Sequence, residues 1–100
     1  MSEYQFTPEA LQDLLDIWNF IAADNIEAAD RVEAAIFQAC GLLGKSPSVG
    51  MTRRDLTSLP VRFWVVHPYP NYLIVYDPAK TPLQIIRILH GARDLRSLLT

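Results

Sequence analysis

The stretch Arg87-Ile88-Leu89-His90-Gly91-Ala92-Arg93-Asp94 gathers the groups best suited to chemistry in this chain of 100 residues. In an extended segment, alternation places Arg87 and Leu89 on one face and Ile88 and His90 on the other. His90 falls at the end of a predicted strand, and an imidazole titrates near neutrality, as a general acid or base must. Arg87, or Arg62 from an earlier strand, can hold a phosphate and the charge that develops on it. Metal-independent RNA cleavage needs about this set: a base for the 2′-hydroxyl, an acid for the leaving oxygen and a cation for the phosphorane. The plainer reading of the same residues is structural. It makes His90 a hydrogen-bonded sheet-end residue and pairs Arg87 and Arg93 with Asp94 or with backbone carbonyls.

Other side chains suggest contact rather than reaction. Arg53 and Arg54 sit together on a connector, as solvated charges or as part of a basic contact surface, and Asp55 is close enough to pair with one of them. Phe20 and Phe37 break the amphipathic pattern of their helices and fall beside acidic residues. An exposed aromatic on such a face is an anchor for a partner. Trp64 shares a strand face with Arg62 and becomes available for contact if the opposite face, Val61, Phe63 and Val65, lies under the helices. His67, just before Pro68, reads as a strand-end residue. Cys40 is the single cysteine, so no intrachain disulfide forms, and one cysteine with two histidines makes a weak case for zinc. No metal or cofactor is expected.

These residues need a scaffold, and the pattern predicts one. Glu3 to Phe6 is a short strand. Thr7-Pro8-Glu9 opens a helix, with Thr7 as the cap, Pro8 in the first turn and Glu9 at the positive dipole end. Leu11, Leu14, Leu15, Trp18, Ile21 and Ala22 follow at helical spacing and predict its buried face, with Trp18 in the core and Asp13 and Asp16 opposite. Asp24-Asn25 breaks the chain, and Asn25 caps a second helix. Ala29, Val32, Ile36, Ala39 and Leu43 form the apolar stripe of that helix, and the alanines at 28 and 35 and Leu42 widen it. Gly44 is the expected C-terminal cap and Pro47 prevents continuation. So short a break implies an antiparallel helical hairpin.

Residues 44–60 form a connector in which a short strand is expected at Arg53 to Leu56. Three β-type runs follow: Val61 to His67, Tyr72 to Tyr76 and Leu83 to His90. Turns at Pro68-Tyr69-Pro70-Asn71 and at 77–82 join them into an antiparallel meander. Gly91 ends the sheet, and Leu95, Leu98 and Leu99 suggest a short amphipathic tail. The order is β-α-α-β-β-β. It makes an α+β fold with a helical hairpin packed on one face of a twisted antiparallel sheet.

Composition bounds the function. Residues 1–100 suffice for one domain. Half are hydrophobic and 20% are charged, which excludes disorder. No run approaches the roughly 18 apolar residues of a membrane span. The start lacks the pattern of a secretory signal, so the cytoplasm is the expected compartment. Charge is divided: residues 1–44 carry a net −7 and residues 45–100 a net +5. Either the halves attract each other, or the basic half faces an anionic partner. A pI near 5.5 argues against direct, specific nucleic-acid binding.

Taken in order, these features resemble the ParE branch of the RelE/ParE toxin superfamily of bacterial toxin–antitoxin systems, over nearly the whole chain. The resemblance rests on Leu14, Ile17 and Ile21, on Asp24-Asn25 before Ala28-Ala29, on Pro47 with Gly50, on Arg53 with Asp55-Leu56, and on Tyr72 with Tyr76. Its most specific element is Ile85-Ile86-Arg87-Ile88-Leu89-His90-Gly91-Ala92-Arg93-Asp94. It implies the fold above, a plasmid-stabilisation type of toxin, and a cognate antitoxin of ribbon-helix-helix type with an acidic tail. ParE-type members poison DNA gyrase, whereas RelE-type members cut mRNA on the ribosome. RelE-type enzymes are strongly basic and often place a tyrosine at the catalytic groove. This chain is acidic, has two lysines and carries no tyrosine after Tyr76. The favoured expectation is therefore a noncatalytic gyrase poison with no catalytic residues assigned. A nuclease using Arg62, Arg87 and His90 is the enzymatic alternative, and an inactive antitoxin-binding member is the third. Phe20, Phe37, Arg53, Arg54, Trp64 and Arg93 are the candidate partner contacts.

Overall fold

A computed structural model of the chain describes residues 3–91, 93 and 94. Its elements are β1 (Tyr4–Phe6), α1 (Pro8–Ala22), α2 (Ile26–Lys45), β2 (Arg62–Val65), β3 (Tyr72–Asp77) and β4 (Leu83–His90). The expected tail at Leu95, Leu98 and Leu99 lies outside the described residues.

Both helix starts follow from side-chain capping. The Ala10 amide donates to Thr7 Oγ1 at 3.1 Å and the Ala28 amide to Asn25 Oδ1 at 3.0 Å, which satisfies donors that have no partner inside the helix. The C-terminal end of α2 differs from expectation. The helix runs through Gly44 to Lys45, and Ser46 is its cap. Gly44 is needed for space: a Cβ there would lie 2.8 Å from the Glu3 Cβ and 3.1 Å from the Glu3 carbonyl oxygen. The chain entering β1 thus rests directly on the last turn of α2.

The sheet order is β1-β4-β3-β2. The β2-β3-β4 meander is antiparallel, and β1 joins β4 in parallel, so the complete sheet is mixed. The hairpin covers one face. Its core joins Leu14, Ile17, Ile36 and Leu43 to Ile74, Tyr76, Ile85 and Ile88. All five predicted stripe residues of α2 are buried. For α1 the buried face is turned by about one residue from the expected arc. Ala10, Leu14 and Ile17 are buried, while Leu11 and Leu15 are about half exposed. Trp18 is not core. It is half-buried, and its indole N–H donates to Asp30 Oδ1 at 2.9 Å, clipping one helix to the other.

The second sheet face carries its own cluster, with Val61, Phe63, Val75 and Leu89 buried and Leu56 of the connector packed over them. This reverses the condition placed on Trp64. Phe63 and Val61 lie on the face away from the helices, and Trp64 packs against the helix-side core. A strand that is apolar on both faces fixes alternation but leaves open which face meets the helices. The connector holds no strand at Arg53 to Leu56. Arg53 instead closes a turn, its carbonyl accepting from the Leu56 and Thr57 amides, and the extended contact is a bridge between Met51 and Phe63.

Candidate functional site

The site geometry starts from an edge. β1 covers β4 only from Leu83 to Ile85, so the rest of β4 would present bare amides and carbonyls on that side. Side chains close it. Thr7 Oγ1 donates to the Ile86 carbonyl at 2.8 Å, the Ile88 amide donates to Asp13 Oδ2 at 3.0 Å, and the His90 amide donates to Asp94 Oδ2 at 2.7 Å. Asp13 also binds Arg87, which donates to it through Nε at 2.7 Å and Nη2 at 2.9 Å. That hydrogen-bonded carboxylate holds the Arg87 guanidinium above its ordinary pKa. A register slip at Tyr76 leaves Ile86 unpaired, as a bulge in β4 immediately before Arg87.

Beyond this closed edge lies a groove of about 550 Å³ between α1 and the end of the sheet, lined by Asp13, Asp16, Phe20, Tyr72, His90 and Arg93 among others. The His90 ring stands edge-on to Tyr72, with centroids 5.6 Å apart. Its Nδ1 is buried without a hydrogen-bond partner among the described residues. Burial pushes the Asp94 carboxyl up, but hydrogen bonds from Arg93 and from the His90 amide outweigh it and hold the group below its ordinary value. The groove thus gathers three carboxylates around two guanidiniums, each of which binds a carboxylate.

Arg62 is elsewhere. It pairs in register with Tyr76, whereas His90 pairs with Tyr72, about 13 Å away along β3 at roughly 3.3 Å per residue. Arg62 Nη1 donates to the Gly50 carbonyl at 2.7 Å. Beside it, Tyr76 Oη accepts from the Gly50 amide at 2.9 Å and donates to the Pro47 carbonyl at 2.6 Å. Arg87 and His90 therefore share the groove, but Arg62 is not brought to them. Arg62 helps to tie the connector to the sheet, and Arg87 ties α1 to β4.

The contact candidates are spread over four places. Phe20 is 74% exposed at the groove mouth, with Arg93 nearby. Phe37 is partly exposed and meets Phe6 edge-on at 6.0 Å. Trp64 borders a cleft between α2 and β2 with Leu42 and His67. Arg53 and Arg54 flank a small cleft of the connector. Sequence reasoning missed Asp13 and the roles of Tyr76 and Gly50. Asp13 and Arg87 are 74 residues apart and Gly50 and Tyr76 are 26 apart, so local spacing carries no signal for either pair. Cys40 is buried, and burial pushes its thiol up to about 12, which disfavours the thiolate. Among the described residues no cluster of three or more His, Cys, Asp or Glu is placed to hold a metal.

Known proteins share this architecture. The model of the ParE toxin of type II toxin–antitoxin systems, parDE, matches residues 4–95. The chain belongs to the ParE toxin family. A solved structure from the chromosomal ParDE toxin–antitoxin system of P. aeruginosa superposes with a TM-score of 0.69 at 21% identity, over 89% of this chain and 98% of that one. That likeness speaks for the fold. Comparison with curated proteins gives no significant match. No helix among the described residues is long and apolar enough to cross a membrane.

Proposed function

We propose that this ParE-family chain is a toxin that acts by binding rather than by catalysis, that DNA gyrase in the cytoplasm is its target, and that a cognate antitoxin neutralises it. One observation carries the noncatalytic part. Arg62 lies about 13 Å along β3 from the position of His90 and does not line the groove that Arg87 and His90 share, and Arg87 is held there by a carboxylate, Asp13. An RNA phosphate entering the groove would meet Asp13, Asp16 and Asp94, which oppose it. Poisoning then works by differential binding: the toxin stabilises a gyrase state in which cleaved DNA is not resealed.

The antitoxin part is supported by the apolar surface that the hairpin leaves uncovered. Leu11 and Leu15, one turn apart on α1, and Phe37 on α2 are all exposed beyond what a solvated helix face requires. An amphipathic segment folding on this surface would bury them, and acidic residues where that segment continues onto the sheet would match the basic second half of the chain. Phe20, and Trp64 where it borders the cleft between α2 and β2, are the aromatic anchors expected at the margins.

Expression of the chain alone, with plasmid topology and mRNA integrity read in parallel, tests the proposal. The expected result is growth arrest with DNA breaks, a damage response and intact mRNA, and the same result for His90→Ala. Cut transcripts without DNA damage, lost on His90→Ala, would establish the nuclease instead. Absence of any growth defect would leave an antitoxin-binding member without toxicity. A neighbouring reading frame for a ribbon-helix-helix protein with a charged tail is expected.

A further inference from the structure

The connector between α2 and β2 forms a second, smaller cleft, about 220 Å³, and its polar walls are of one kind. Arg53, Arg54 and Arg62 line it together with Thr52 and Thr57. Two of the three guanidiniums are fixed in place. Arg62 gives Nη1 to the Gly50 carbonyl, and Arg53 gives Nε and Nη2 to Asp55 at 2.9 and 2.7 Å. A guanidinium has five N–H donors, so both keep donors to spare while losing the freedom that binding would otherwise have to remove. Arg54 is exposed and has no carboxylate partner among the described residues. Thr57 Oγ1 accepts from the Leu59 amide at 3.1 Å, which leaves its own hydrogen to donate. The turn that carries these groups is closed by the Leu56 and Thr57 amides on the Arg53 carbonyl. Asp55, the carboxylate nearest in sequence, holds Arg53 but does not line the cleft.

Cations and hydroxyl donors around one small cleft select an oxyanion. The remaining wall says which kind. Leu59, Pro60, Val61 and Pro78 line it, and no aromatic ring does, so the cleft offers aliphatic contact and no platform on which a nucleic-acid base could stack. Its volume is below the roughly 300–1,000 Å³ usual for a small-molecule site and suits one side chain with its neighbours. The chain as a whole is net negative, which disfavours a polyanionic nucleic acid.

We propose that this connector cleft is a carboxylate-binding subsite that captures an acidic residue, flanked by aliphatic ones, on a partner peptide. This rests on, and sharpens, the reading that an acidic antitoxin segment binds the toxin. The cleft lies at the opposite end of β3 from the His90 groove, so it makes a contact separate from that groove.

The test uses the full chain, labelled with nitrogen-15 for amide NMR and titrated with an acetylated, amidated Leu-Glu-Glu-Leu peptide. Its Leu-Gln-Gln-Leu counterpart and a ten-nucleotide oligo-dT serve as the comparison arms. The expected shifts centre on residues 52–62. The glutamine peptide should bind about tenfold more weakly, the scale of one charge-assisted hydrogen bond, and Arg54→Glu should lose binding to a similar extent while Arg54→Lys retains part of it. Arg54 is exposed, so both variants should melt as the parent does. Equal binding of the two peptides, shifts centred elsewhere, or stronger shifts from the oligonucleotide would each overturn the proposal. Pull-down of the neighbouring-frame protein separates the two readings. If that protein binds the toxin and its binding is indifferent to Arg54→Glu, the subsite falls and the antitoxin reading stands. If the peptide binds as expected and that protein does not, the antitoxin reading falls and the subsite stands.

Discussion

Two tyrosines on β3, four residues apart, mark two ends of the molecule that are built in opposite ways. At one end Tyr76 is fully buried, and its hydroxyl both accepts and donates a hydrogen bond to the backbone of the connector. At the other end Tyr72 is half-buried against His90, in a groove whose charged groups are paired side chain to side chain. An arginine accompanies each end. Arg62 bonds a carbonyl and Arg87 a carboxylate. The Tyr76 end uses its polar groups to fix a long connector, whereas the Tyr72 end uses them to close a strand edge and leaves a surface open to solvent. Residue type alone does not distinguish structural from accessible chemistry in this fold; the partner of each polar atom does.

The contrast can be broken most sharply at the buried end. Gly50→Ala would place a Cβ 2.7 Å from the Tyr76 ring carbon Cε1. A loss of about 1–3 kcal/mol is expected, read as a lower denaturation midpoint, because ring and connector must both shift. Tyr76→Phe should cost a similar amount by leaving the Gly50 amide and the Pro47 carbonyl unpaired. A parent-like midpoint for both variants would mean that the connector is not tied down as described.

At the edge, Asp13→Ala removes the acceptor for the Ile88 amide and for Arg87. Arg87 is 39% exposed, so water replaces part of the loss, and about 1–2 kcal/mol is expected by chemical denaturation. Asp13→Asn keeps an acceptor for the amide and should fall between that variant and the parent.

The pH dependence of the open end is smaller. The folded-state pKa of Asp94 is depressed, so its contribution is complete above the ordinary aspartate value of 3.8 and is lost as pH falls through the lower folded value. Melting curves between pH 5 and pH 2 should show a weaker acid dependence for Asp94→Asn than for the parent. The smallest effect belongs to Phe20. Phe20→Ser should change stability by no more than about 0.5 kcal/mol, since the ring is largely in solvent, while weakening capture of the partner in a pull-down.

Much of this architecture was legible in the residues themselves. Thr7-Pro8 and Asn25 announced both helix starts, because capping is a contact between near neighbours in sequence. The stripe Ala29, Val32, Ile36, Ala39 and Leu43 announced the buried face of α2, because it is the one apolar arc of that helix. The limits of β4 were readable from its flanking turn and from Gly91. On α1, by contrast, Leu11 and Leu15 compete with Ala10 and Ile17 for the inside, and only the position of β4 settles the rotation that brings Asp13 within reach of Arg87. The candidate site was legible in its residue types and not in their roles. His90, Arg87 and Arg62 were all visible, but the Asp13 that binds Arg87 and the Gly50 carbonyl that binds Arg62 lie 74 and 12 residues away, distances that no periodicity encodes. The sequence by itself determined both helices, the three β-type runs of the meander, their order and the apolar supply of each, since these depend on local backbone preference and short-range spacing. Only the tertiary structure decided which face of β2 meets the helices, which carboxylate closes the β4 edge, and which arginines stay available to a partner. Each of those is a choice between equally apolar or equally charged alternatives, and it is made by which distant atoms pack together.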